Sequence, residues 1–147
     1  MEFEEKVKYA FKDIIDKYNM KSAAISENEV VLFTDKFILS FLYHAAELDM
    51  VYIEKTEDGE LYGYYNIDSF IASSISKEDR IQIKERLQGE SKLVIHLELL
   101  ACTLEKKWKD LLSGGKEWIK EYQKFFLHMP ARNVTKIIEE YNRYKCI

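Results

Sequence analysis

Residues 29–65 read EVVLFTDKFILSFLYHAAELDMVYIEKTEDGELYGYY, and this stretch decides the fold. Runs dense in Val, Ile, Phe and Tyr alternate with turn-forming breaks at 34–36, 45–49 and 56–59, the pattern of an antiparallel meander. Strands are expected at 30–33, 37–43, 50–55 and 61–65. The last two are joined through Asp58-Gly59, a strong hairpin signal. Just before them, Ala23-Ala24-Ile25 followed by a Glu27-Asn28 turn is a candidate first strand.

Alternate residues of a strand point to opposite faces. In 37–43 this sets Phe37, Leu39, Phe41 and Tyr43 on one uniformly apolar face and Ile38, Ser40, Leu42 and His44 on a mixed one. In 61–65 it sets Tyr62 and Tyr64 against Leu61, Gly63 and Tyr65. Neither face is cleanly polar, so the second is either covered by helices of the same chain or is a surface that meets a partner.

The remainder reads as helix. Phe3, Val7, Ala10, Phe11, Ile14, Ile15 and Tyr18 share a stripe and predict a helix over 2–18. Asp68 is expected to cap a short helix at 69–75, and Ser76 with Asp79 has the form of a capping box opening a helix to about residue 88, where Gly89 ends it. Residues 92–112 carry the longest apolar pattern, Leu93, Leu97, Leu100, Leu104, Trp108 and Leu111. A strand over 93–99 also fits that alternation, but the length of the pattern favours a helix. Further helices are expected at 116–127 and 133–144, separated by Pro130. The fold class is therefore α+β: an antiparallel meander sheet of about four strands with an N-terminal helix and a C-terminal layer of several helices.

A chain of 147 residues, 47% hydrophobic and 33% charged with five Gly and one Pro, fits a single domain over 1–147. A chain of this length buries roughly 70% of the surface it exposes when unfolded. The first residues are acidic and amphipathic, unlike a signal peptide, and no apolar run approaches the length of a membrane span. Together with Cys102 and Cys146, far apart in sequence, this leads to the expectation of a cytoplasmic protein with reduced thiols.

The net charge of −4 is unevenly divided. Residues 1–75 hold 15 acids and 7 bases, and residues 76–147 hold 11 acids and 15 bases. The densest acidic run is 47–60, with Glu47, Asp49, Glu54, Glu57, Asp58 and Glu60 against Lys55 alone. Such a field steers a basic partner, and it equally serves to keep sheet edges solvated and unpaired. With Tyr62 and Tyr64 beside them, these six acids are the candidate partner-binding residues.

Chemistry finds little support. His44 ends a strand beside a loop, the most plausible position for a functional histidine, but no His or Cys stands at a metal-ligand spacing from it. His96 and Cys102 are six residues apart on a helix and so fall on different faces. His128 lies in a turn. No nucleophile, base and orienter come together, and no catalytic residue, metal site or cofactor is expected. Ser113-Gly114-Gly115-Lys116 lacks the strand and the spacing of a phosphate loop. The lysines of the second half are dispersed, and Trp108, Trp118 and Tyr122 fall on buried stripes, which speaks against direct nucleic-acid binding.

Two features together resemble small bacterial immunity proteins, the partners that neutralise secreted or contact-delivered toxins. One is the N-terminal helix followed by the strands Val30-Val31-Leu32-Phe33, 37–43, Val51-Tyr52-Ile53 and an aromatic last strand leading into a helix. The other is WKDLLSGGKEWIKEY at 108–122, similar to a Leu-x-Gly-Asp-x-x-Trp-x-x-x-Tyr ending, with Gly115 where the pattern has Asp. The resemblance carries no catalytic residues over. It implies a non-enzymatic protein that binds a toxin domain, often a nuclease with a basic cleft, and blocks it. The alternative expectation is a small ligand-binding or hydrolytic enzyme using His44 near the sheet edge. The sequence leaves the oligomeric state open.

Overall fold

A computed structural model describes residues 2–125. Its centre is a five-stranded antiparallel sheet in the order β1-β2-β3-β4-β5, comprising β1 (Lys21–Ser26), β2 (Glu29–Phe33), β3 (Phe37–His44), β4 (Glu47–Lys55) and β5 (Leu61–Asn66). The candidate strand before residue 29 is therefore β1, and the sheet has five strands where about four were expected. Thr34 forms the β2–β3 turn, its hydroxyl accepting the N–H groups of Lys36 and Phe37.

The third turn is shorter than its sequence suggests. Residues 45–49 read as a break, yet β4 begins at Glu47 and only Ala45 and Ala46 make the turn, with φ of 52° and 63°. Two consecutive positive φ values are what a two-residue hairpin of the type I′ class needs. Alanine is a poor residue for that backbone, because its Cβ crowds the following carbonyl. The turn is imposed by the eight-residue pairing of β3 with β4, in register from Phe37↔Glu54 to His44↔Glu47.

The expected first helix divides into α1 (Phe3–Ala10) and α2 (Lys12–Lys17) at Phe11, whose φ and ψ of −100° and 13° leave the helical well. Phe11 is fully buried and meets Phe41 edge-on at 4.9 Å between ring centroids. After the sheet come α3 (Asp68–Ala72) and α4 (Lys77–Arg86). Asp68 lies in the first turn of α3 rather than capping it; Ile67 occupies the cap position. Ser76 caps α4 as expected, its Oγ accepting the N–H of Asp79. Next are α5 (Lys92–Lys107), α6 (Lys109–Leu112) and α7 (Trp118–Phe125).

Residues 93–99 are helical, and the long helix breaks at Trp108. The indole of Trp108 donates to Ser74 Oγ at 2.9 Å and packs on Phe70 at 4.8 Å. Holding the ring in that pocket rotates its backbone out of the helix. The helix expected at 133–144, with His128, Pro130 and Cys146, lies outside the described residues.

One face of the sheet, Val30, Leu32, Phe37, Leu39, Phe41, Met50 and Tyr52, shares a core with Phe3, Val7, Phe11, Phe70, Leu97, Leu100, Leu104 and Trp118. On the opposite face Ala23, Val31, Ile38, Val51 and Ile53 form a separate buried cluster. That face is thus buried as well, which accounts for the absence of polar alternation in β2 to β4. Outside the main core, Ile83 of α4 and Leu87 at its C-terminal cap pack with Val94 and Leu99 of α5, and the Asp79–Lys106 ion pair at 2.6 Å pins the same two helices.

Candidate functional site

The six acids that are neighbours in sequence are not neighbours in space. β4 runs nine residues, and at roughly 3.4 Å per residue its ends lie about 27 Å apart. Glu47 and Asp49 stand at the β3–β4 turn, while Glu57, Asp58 and Glu60 stand at the β4–β5 turn at the other end of the sheet. Glu47, Glu57, Asp58 and Glu60 are exposed and Asp49 is half-buried.

Glu54 differs from the other five in being buried, at 5% exposure. Its pairing with Tyr62 turns its side chain to the helix-covered face, beside Tyr52. There Oε1 accepts the Tyr65 hydroxyl at 2.6 Å, and Lys116 Nζ, from the connection between α6 and α7, lies 3.4 Å from Oε2. Lys116 also donates to Tyr62 Oη at 2.8 Å. Burial, and then the hydrogen bond to Glu54, push the Tyr65 phenol well above its usual value. The bond to Tyr62 holds the Lys116 ammonium above the usual lysine value.

The register of β5 explains how this cluster assembles. Ile53 pairs with Tyr64 and Glu54 with Tyr62, so Gly63 has no partner and forms a bulge. Its φ is +61°, and a Cβ there would lie 2.8 Å from Glu54 Oε1. The bulge also shifts the alternation. Tyr62 and Tyr64, expected on one face, lie on opposite faces: Tyr62 with Glu54 and Tyr65, Tyr64 with Ile53. Both rings remain exposed, at 38% and 41%.

The outer edge of β5 is partly closed. Asn66 N–H donates to the Tyr122 hydroxyl at 3.2 Å, and Tyr65, Trp118 and Tyr122 pack edge to face. The Glu54, Tyr65, Tyr62 and Lys116 cluster was not legible as a unit, since Lys116 stands 54 residues from Tyr62. The one local signal was a glycine inside a strand pattern, which often marks a bulge.

His44 ends β3, exposed and paired across the turn with Glu47. It lines neither a cavity beside the β3–β4 turn nor one between α2 and α5, both with titratable groups in their walls. One, of about 560 Å³, lies between the β3–β4 turn and the starts of α3 and α5, and Tyr43, Leu48, Asp68, Lys92, Leu93 and His96 line it. Burial, with Arg80 nearby, lowers the pKa of His96, so its ring is neutral at neutral pH. The other, of about 330 Å³, is bordered by Asp13, Glu98, Cys102 and Lys106 between α2 and α5. Burial raises the pKa of the Cys102 thiol, away from the reactive thiolate. Among the described residues no group of His, Cys, Asp and Glu is placed to hold a metal ion, and no helix is long and apolar enough to cross a membrane.

These positions define an α+β scaffold whose β4–β5 end presents exposed acids and tyrosines around one buried, lysine-paired carboxylate. No protein-family model, curated protein or solved structure matches the chain.

Proposed function

We propose that this chain is a non-enzymatic binding protein of the immunity type, which binds a basic toxin domain in the cytoplasm of the producing cell and blocks it. The observation that carries the reading is the β4–β5 end of the sheet. Glu57, Asp58 and Glu60 are exposed around the turn, and Tyr62 and Tyr64 expose their rings on either side of the edge strand. Tyrosines supply contact area at low entropic cost and are enriched in interface cores. The surrounding acids speed encounter with a basic surface and disfavour acidic competitors. Glu47 and Asp49, at the far end of β4, belong to a second acidic edge.

The test is protection. A protein that co-purifies with the chain is expressed alone and should arrest growth; co-expression of the chain should restore growth. The E57K/D58K/E60K variant should fail to restore it while remaining folded. Protection by that variant equal to the natural chain would place the interface elsewhere.

A further inference from the structure

We propose that Glu54 is the receptor for an arginine side chain of the protein partner, and that Lys116 occupies the site until that guanidinium replaces it. The proposal rests on the reading of the β4–β5 end as the docking surface. It starts from an imperfect ion pair. The Glu54 side chain is 7% exposed, and a carboxylate withdrawn that far from water requires donors on both oxygens. Oε1 has one, the Tyr65 hydroxyl at 2.6 Å. Among the described residues Oε2 has Lys116 Nζ at 3.4 Å, longer than the roughly 2.7–2.9 Å of a charge-assisted hydrogen bond. The shorter contact of that ammonium goes to Tyr62 Oη.

Lys116 is also easily displaced. Its side chain is 67% exposed and reaches in from an irregular connection, so its departure removes little packing. An ammonium is a point charge on a flexible stem, whereas a guanidinium presents two parallel N–H groups to a carboxylate and a flat face to an aromatic ring. Tyr62 supplies that ring, already in cation–π contact with Lys116 Nζ at 5.4 Å. The exposed Glu57, Asp58 and Glu60 lie at the adjacent turn, where they draw the incoming cation and give the released lysine an acidic surface to meet.

The experiment titrates amidated tetra-arginine into the full chain at low salt, read by calorimetry, with tetra-lysine for comparison. K116Q should bind tetra-arginine roughly fivefold or more tighter than the natural chain, the gain expected of freeing a buried charge-assisted acceptor. E54Q/K116Q should lose that gain, and tetra-lysine should gain less. K120Q removes the same charge at a lysine that contacts Glu117 on the surface, and should change affinity by less than about twofold.

An equal gain in K120Q, no gain in K116Q, or a gain that survives E54Q overturns the proposal. Should K116Q fail to fold, K116R decides: an internal guanidinium should weaken tetra-arginine binding, and unchanged binding counts against displacement. Failure here leaves the growth-protection result standing. Success here without protection would instead overturn the immunity reading.

Discussion

The Asp110 carboxylate accepts the backbone N–H of Trp118 through Oδ2 at 3.0 Å. Trp118 opens α7, and its N–H is one of the helix-end donors that need a partner outside the helix. Asp110, from α6, supplies that acceptor, and Gly115 makes room for it: a Cβ at 115 would lie 1.8 Å from Asp110 Oδ1.

Gly115→Ala is therefore expected to destabilise by about 1–3 kcal/mol, the usual cost of forcing an extra carbon into a filled site. Asp110→Ala should cost about 1 kcal/mol through the lost cap. The double variant should be more stable than the sum predicts, because removing the carboxylate removes the closest clash. Urea midpoints of the four proteins test this, and strict additivity would mean the two residues do not interact.

Gly63→Ala is expected to destabilise by about 1–3 kcal/mol, since φ of +61° disfavours alanine and the new Cβ meets Glu54. The same substitution should loosen the Glu54 contact with Tyr65. The readout that separates this from plain instability is the Tyr65 phenol, whose titration should move down toward the ordinary tyrosine value as it loses its acidic acceptor.

The meander and its apolar faces were legible because period-two alternation survives wherever the register is regular. They stopped being legible at Gly63, where a one-residue bulge set Tyr62 and Tyr64 on opposite faces. The Ala45-Ala46 turn carried no turn chemistry at all, since neither alanine favours positive φ. Helix existence followed from spacing, but the breaks at Phe11 and Trp108 arise from contacts with Phe41, Phe70 and Ser74 that no local pattern contains. The spatial division of the acidic run was not legible for a geometric reason: a nine-residue strand carries its two ends about 27 Å apart, so acids contiguous in sequence lie at two edges, with Glu54 buried between them.

Acid should weaken the fold in two separable steps. His96 has a folded pKa below its ordinary 6.5, so its neutral form favours folding. The stability it contributes is complete above about pH 6.5 and is lost as pH falls through the lower folded value. Asp79 is held below the ordinary 3.8, first by the hydrogen bond from Lys106, and its contribution is lost only as pH falls further, through that depressed value. His96→Gln should flatten the part of the stability profile that begins below about pH 6.5 and leave the lower step. Asp79→Asn should do the reverse, as followed by denaturant midpoints across pH.

In the proposed function, charge and tyrosine at the β4–β5 end bind a basic protein. The most direct measurement is capture by the tagged chain from lysate of its source cell, washed across a salt series and run beside E57K/D58K/E60K. The account predicts one basic, growth-arresting protein that the natural chain retains at low salt, releases as salt rises, and that the variant does not retain. The same protein held equally by both chains, at every salt concentration, would contradict it.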